Sequence, residues 1–374
     1  MAQAHVKLPL LAAALAASCA LVTDFDGYEL DTSGQCAAPR AICDGECVDL
    51  AVDGENCGAC AHDCLGTACE NGHCAPEKLA GGLGPVSRIA IDETHIYYTI
   101  YGDTRCSPPG CTVSRLAKNG GTPQLLTSGV REPTGIALDA THVYVSAYTA
   151  GGGAGVRRVP KAGGSDETVD GCNTTFSVGL DDDFVFSVTG SCGGMPLLRR
   201  TDKSDFAQQL DVQDDTQYGY SYATYGYMAV GPDDVFWVNK YALMTAPKTL
   251  ASATELVPAP ASGRGIVRDD DGLWVVFGAD LYAVSEDGTS SVPFATMQFV
   301  DPTMHSVYIG IATDDMNVYW PSDMNGTIVK RAKTPSDAEP VVIASGQFDP
   351  FIVAVDATHA YWLNADGSIW RVAL

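Results

Sequence analysis

One nine-residue phrase recurs along this chain: an apolar residue, a small one, a second apolar residue, Asp, three further residues, an apolar residue and an aromatic. With departures in three copies it reads IAIDETHIY at 89–97, IALDATHVY at 136–144, VGLDDDFVF at 178–186, MAVGPDDVF at 228–236, IVRDDDGLW at 266–274, IATDDMNVY at 311–319 and VAVDATHAY at 353–361. The aromatic position is filled in every copy, by Tyr97, Tyr144, Phe186, Phe236, Trp274, Tyr319 and Tyr361. Each phrase leads into a variable loop, a short strand such as GVRRVP or TIVKRA, a turn such as KNGG or KAGG, and a last strand such as PQLLTSG or PVVIASG. Alternation with period two, 39 glycines and no long helical periodicity make the chain all-β.

Copies 38 to 50 residues apart, each yielding four short strands, carry the signature of a β-propeller with one blade per copy. Seven copies predict seven blades. The small residue of the first strand (Ala90, Ala137, Gly179, Ala229, Ala312, Ala354) suits inner strands crowded around a narrow channel, and Val267 departs from it. The aromatic on the second strand is placed to fill the space between blades. The seventh copy runs out at Leu374 without an outer strand, whereas PEKLAGG at 76–82 matches the fourth-strand pattern. That segment is predicted to complete the seventh blade and so close the ring without a free edge. Residues 76–374 resemble a seven-bladed propeller in general pattern, with no WD or kelch signature.

The first eighteen residues read as a signal peptide: Lys7, then an apolar run from Leu8 to Ala17, too short to span a bilayer. The small residues before Cys19 resemble a bacterial lipobox, which implies diacylation of Cys19; Ala16 departs from the pattern, which prefers Leu there. An ordinary signal peptide releasing a soluble protein is the alternative. Removing Cys19 from the thirteen cysteines leaves eight between Cys36 and Cys74 and four later, Cys106, Cys111, Cys172 and Cys192. Two even groups in an exported chain read as disulfides. Residues 19–35 form an acidic tether, with DFDGYELD at 24–31 solvated.

Eight cysteines within 36–74, among few large apolar side chains, indicate a module stapled by disulfides. Zinc bound through Cys57, Cys60, His62 and His73 is the competing reading, but no second matched CxxC pair stands at finger spacing. Through CVDL (47–50), NCGAC (56–60) and CENGHC (69–74) the module resembles those of myxobacterial surface lipoproteins, related in pattern to plant stigma-specific proteins. The resemblance implies a secreted spacer or adhesion module and no chemistry.

A net charge of −24 disfavours nucleic acid and anionic lipid, so the membrane is reached only through the N-terminal lipid. His95, His142 and His359 recur at one repeat position and read as turn residues rather than metal ligands. The Asp clusters at the same turns suit backbone-capping and would form an acidic ring that collects cations weakly. AGGGAG (150–155) lacks the Lys-Ser/Thr and the helix of a phosphate loop. No GxSxG or HExxH is present, and no cofactor or metal is expected. The tyrosine-rich stretch DDTQYGYSYATYGY places Asp214, Asp215, Tyr218, Tyr220, Tyr222, Tyr225 and Tyr227 in one connection. Tyrosine gives large amphipathic contact area at low entropy cost. The alternative is that these rings pack between blades. The composite expectation is a lipid-anchored protein of the bacterial envelope, at the outer membrane or cell surface. Its propeller displays, without catalysis, a surface for a glycan or a peptide or protein partner. A propeller lyase or hydrolase with a loop-built site at the channel mouth is the rival.

Two measurements check the exported-chain reading. A fatty-acid analogue fed to producing cells should label the wild type and not Cys19→Ala; an unlabelled wild type whose N-terminus is not Cys19 contradicts it. Peptide mapping should return Cys106–Cys111 and Cys172–Cys192, because the connections carrying each pair share a face; a link between the two pairs refutes this.

Overall fold

The computed structural model describes Cys36 and residues 40–101, 111–147, 155–172, 174–192, 195–213, 227–297, 309–334 and 338–374. The chain divides into two units, 1–75 and 76–374.

In the first unit the cystines are the core. Bridges join Cys36 to Cys47, Cys43 to Cys60, Cys57 to Cys69 and Cys64 to Cys74. Each closes a loop of 10 to 17 residues, and loops of that size are worth about 3 kcal/mol apiece by restricting the unfolded chain. Two hairpins carry them. Asp44-Gly45 turns Ala41–Cys43 into Glu46–Val48, and Asn71-Gly72 turns Cys69–Glu70 into His73–Cys74, all four turn residues at positive φ. Left-handed pairs of this kind match the strand twist of a tight hairpin. Gly58 of NCGAC has no alternative, since a Cβ there would stand 2.4 Å from the carbonyl oxygen of Gly72. Cys57, Cys64 and Cys74 lie close enough to hold an ion, but each sulfur is bound in a disulfide, so the zinc reading fails.

The second unit is seven antiparallel four-stranded sheets. Their inner strands are Val86–Ile91, Pro133–Leu138, Thr175–Leu180, Met228–Val230, Gly263–Asp269, Ala312–Thr313 and Pro350–Val355. Six sheets are consecutive in sequence, and the seventh takes Glu77–Ala80 as its outer strand against Ser368–Ala373. Arg371 seals that closure, donating to Glu77 at 2.9 and 2.7 Å and to the Lys118 carbonyl of the first blade at 2.8 Å. The core lies between blades. Tyr97 of blade one packs with Val143 and Val145 of blade two, Phe186 of blade three with Val235 and Trp237 of blade four, and Tyr361 of blade seven with Ile96 and Tyr98 of blade one.

The phrase's Asp organises the turn from first to second strand. Asp92 accepts the amides of Thr94 and His95 on Oδ1 at 2.9 Å each, and the Tyr97 hydroxyl on Oδ2 at 2.9 Å. Asp356 repeats this with Thr358, His359 and Tyr361, and Asp314 with Met316, Asn317 and Tyr319. A lysine from the next blade then reaches the same carboxylate: Lys161 to Asp92 at 2.9 Å, Lys203 to Asp139 at 3.6 Å, Lys248 to Asp181 at 2.9 Å, Lys333 to Asp269 at 2.8 Å and Lys118 to Asp356 at 2.6 Å. Four of these ammonium groups also lie 5.1 to 5.9 Å over the phrase's aromatic ring, a cation–π contact. Five of the seven junctions are clasped in this way among the described residues.

The other two junctions differ visibly. Gly231 replaces the Asp in blade four; a Cβ there would stand 3.2 Å from Nε of Arg268, which is held by Glu286 at 2.6 Å. Between blades six and seven the inner strands meet directly, in a parallel bridge of Gly310 with Ile352. The Gly310 amide donates to Phe351 and its carbonyl accepts from Val353, both at 3.1 Å.

Burial pushes Asp92, Asp139, Asp181 and Asp356 up. Hydrogen bonds from turn amides and the charge or hydrogen bond of the neighbouring lysine outweigh it, holding each below the carboxylate range, Asp139 at about 2. Because the folded-state values lie below the unfolded ones, unfolding takes up protons. The clasp's contribution is therefore complete above about pH 4 and is lost as pH falls toward about 2. Lys161→Met should lower the unfolding free energy by about 1–2 kcal/mol in denaturant titration, against about 0.5 kcal/mol or less for exposed Lys240→Met. The variant should also lose less stability than wild type between pH 4 and 2; equal losses would contradict the clasp.

Candidate functional site

The first apolar residue of every phrase faces the central channel: Ile89, Ile136, Val178, Met228, Ile266, Ile311 and Val353 line a cavity of about 260 Å3. One residue earlier, five inner strands carry a bulge, between Val86 and Arg88 and at the equivalent places in blades two, three, five and seven. Bulges increase twist and re-aim side chains, and here the bulged residues stitch neighbours together. Thr134 donates its hydroxyl to the Thr175 carbonyl of the next blade at 2.6 Å, and Ser87 donates to the Pro133 carbonyl of the next blade at 3.4 Å.

Arg88 occupies the position just before the phrase and is 5% exposed. Its Nε donates to the Thr134 carbonyl and its Nη1 to the Ser87 carbonyl, both at 2.6 Å. The equivalent residue is Gly in blades two, five and six, because the next blade approaches too closely; a Cβ on Gly265 would stand 2.6 Å from the Ile309 carbonyl oxygen. Half-buried Arg264 stands one residue before Gly265, and burial pushes its guanidinium down while Tyr227 opposes the shift. Sequence reading passed over both arginines. For Arg88 the available signal was positional, an Arg where the sister copies carry Gly, Ser, Tyr or Ile.

Around the mouth where the inner strands begin, large apolar side chains stand in solvent: Tyr101 at 42%, Tyr241 at 40%, Met324 at 53% and Phe348 at 61% exposure. Their backbones are pinned. The Tyr101 amide donates to Pro85 at 2.7 Å, the Tyr241 carbonyl accepts from Ala259 at 2.8 Å, and the Phe348 carbonyl accepts from Ala365 at 3.2 Å. Beside Phe348, Gln347 accepts from Trp362 and Asn364 at 3.0 and 3.1 Å. The connections 102–110, 148–154, 214–226 and 298–308 join strand ends on this same face.

The opposite face holds the phrase turns. His95, His142 and His359 each bond the preceding threonine hydroxyl through Nδ1, at 2.7, 2.7 and 2.8 Å, and lean on the tyrosine two residues on. Burial, then the Arg371 charge, push His359 down. Of the Asp clusters expected to form an acidic ring, Asp181, Asp269 and Asp271 face lysine, while Asp182, Asp183, Asp233, Asp270 and Asp315 are exposed. Among the described residues, Met316 is the large apolar side chain exposed on the turns of this face.

Of the tyrosine-rich stretch, Tyr227 is half-buried, packs against Phe236, Val238 and Ile266, and lines the channel. Asp214, Asp215, Tyr218, Tyr220, Tyr222 and Tyr225 lie outside the described residues, as do Cys19 and Cys106. Cys111 and Cys172 are disulfide-bonded; the Cys192 side chain is outside the description. Buried Asp170 braces this corner, accepting from Ser187 at 2.9 Å and the Cys172 amide at 3.2 Å. Among the described residues no helix is long and apolar enough to cross a membrane.

With this geometry in hand, the stigma-specific STIG1-like protein family matches residues 18–77. No curated protein matches the chain. Among solved structures, catalytically inactive virginiamycin B lyase from Staphylococcus aureus with quinupristin is 14% identical, with a TM-score of 0.60 over 80% of this chain and 98% of the lyase. The β-propeller domain of Myceliophteria thermophila Cps50 (Swd1) is 9% identical, with a TM-score of 0.58 over 80% and 99% of the two chains. A computationally designed protein, Ika8, is 12% identical, with a TM-score of 0.52 over 79% and 98%. At such identities the likeness extends to the fold: the chain is a STIG1-like cysteine-rich module followed by a seven-bladed β-propeller.

Proposed function

We propose that this is a non-catalytic binding protein of the bacterial envelope. In this reading a lipid on Cys19 anchors it to the outer membrane or cell surface, as in myxobacterial surface lipoproteins. The face around its channel mouth binds an extended polar partner, a glycan or a peptide. The observation that carries the reading is the asymmetry of the two faces. On the turn face the recurring polar groups are spent on one another, as Asx turns and lysine clasps. On the mouth face Tyr101, Tyr241 and Phe348 are held in solvent by fixed backbone hydrogen bonds, and Met324 is exposed beside them. Rigid exposed aromatics lose little entropy on binding. The tyrosine-rich connection 214–226 joins strands whose ends lie on that face.

The rival enzyme needs acid–base groups converging at the mouth. The described propeller histidines His95, His142 and His359 stand instead on the turn face. Glycan and peptide arrays probed with the purified protein test the proposal. Replacing Tyr218, Tyr220, Tyr222 and Phe348 by Ser should weaken any hit by about 30-fold, the loss of a single 2 kcal/mol hot spot, with Tm moved by about 1 °C or less. Unchanged binding with a large fall in Tm would assign these residues to the core and remove the site from this face.

A further inference from the structure

One sector of the mouth has a chemistry of its own. The turn 323–326 of blade six, the connection 345–349 and the turn 365–367 of blade seven are joined by backbone hydrogen bonds. The Gln347 amide donates to the Gly326 carbonyl at 2.9 Å, and the Ala365 amide to the Phe348 and Asp349 carbonyls at 3.2 Å each. Exposed Phe348 and Met324 stand in this sector with Asp323, Asp349 and Asp366. Asp366 is exposed and accepts the Ser368 amide and hydroxyl through Oδ1 alone. Asp349 is constrained by a left-handed backbone, its φ of 44° being uncommon for a residue other than glycine. The segments 322–327, 344–350 and 364–368 contain no lysine, arginine or histidine. The basic residues of the described rim, Arg131, Lys240 and Arg264, belong to blades two, four and five. Three carboxylates beside two large apolar side chains suit a group that is apolar along its length and cationic at its tip, as lysine and arginine side chains are.

We infer that the partner of the mouth face is a basic peptide. A lysine or arginine head is set among Asp323, Asp349 and Asp366, and its stem or an adjacent apolar side chain lies against Phe348 and Met324. The inference rests on the mouth being the binding face and selects one class among the partners open to it. A neutral sugar gains nothing from the carboxylates, and an amino sugar leaves the adaptable Met324 without an apolar contact. With a net charge of −24 the long-range field attracts a cationic chain, and fixed carboxylates then set its register.

Random nonapeptides with arginine fixed at the centre, against the same library with neutral citrulline there, test this on the full-length protein. The arginine library should yield binders, and each should weaken when citrulline replaces its central arginine. For such a peptide, Asp349→Asn combined with Asp366→Asn should weaken binding about fivefold, as expected of two exposed ion pairs. Phe348→Ser should also weaken it, and Asp182→Asn on the turn face should leave it unchanged. Raising sodium chloride from about 20 to about 300 mM should weaken binding more in wild type than in the double Asn variant. An empty arginine library, equal binding of the citrulline peptide, or unchanged affinity in the double variant overturns the inference. A glycan that binds wild type and is lost in Phe348→Ser, with the arginine library empty, overturns the basic peptide alone and keeps the mouth as the binding face. A basic peptide bound equally by the double variant and by Phe348→Ser, but lost in Asp182→Asn, overturns the mouth reading as well.

Discussion

The propeller depends on one contact made five times, a lysine from one blade set against the aspartate and aromatic ring of the blade before it. Exposed ion pairs usually contribute little, because water screens them and two flexible side chains must be ordered. Here the ordering is done in advance. Turn amides and, in several blades, a tyrosine hydroxyl fix the carboxylate, and in four clasps the aromatic ring beneath the ammonium shields one side of it. A ring of blades has no single core, and each junction must hold by itself. The two junctions without the clasp are built differently, with a guanidinium close over Gly231 in one and a backbone bridge at Gly310, permitted by the absent Cβ, in the other.

Much of this architecture is legible in the sequence. Strand alternation, the Asp turn and the buried aromatic repeat in register, so seven phrases give seven blades, and the unmatched strand at 77–80 finds its place by elimination. The lysine of KNGG and KAGG is not legible as a structural residue, because its partner belongs to the preceding repeat and the contact exists only once blades stack. Arg88 and Arg264 were hidden for a related reason: a channel has no sequence signal beyond the position that faces it. In the cysteine module the even count reveals that bridges exist, but eight cysteines admit 105 pairings, and only folding selects the four observed.

Division of labour between the faces follows from the same geometry. Turns that clasp neighbouring blades have their polar groups committed and little freedom to vary in length. Connections at the mouth carry no such duty, so they can be long and can display Tyr241 or Phe348 on a fixed frame. Loops on a rigid scaffold are where binding residues concentrate. The cystine core of the small module is independent of burial by large side chains.

Amide hydrogen exchange of the intact protein, with and without a partner recovered from the arrays, discriminates most directly between the faces. Protection should rise at residues 239–241, 323–326 and 345–349 and stay unchanged at the aspartate turns 92–95, 139–142 and 356–359. Protection gained at those turns, with the mouth unaffected, would contradict the assignment of the mouth as the binding face.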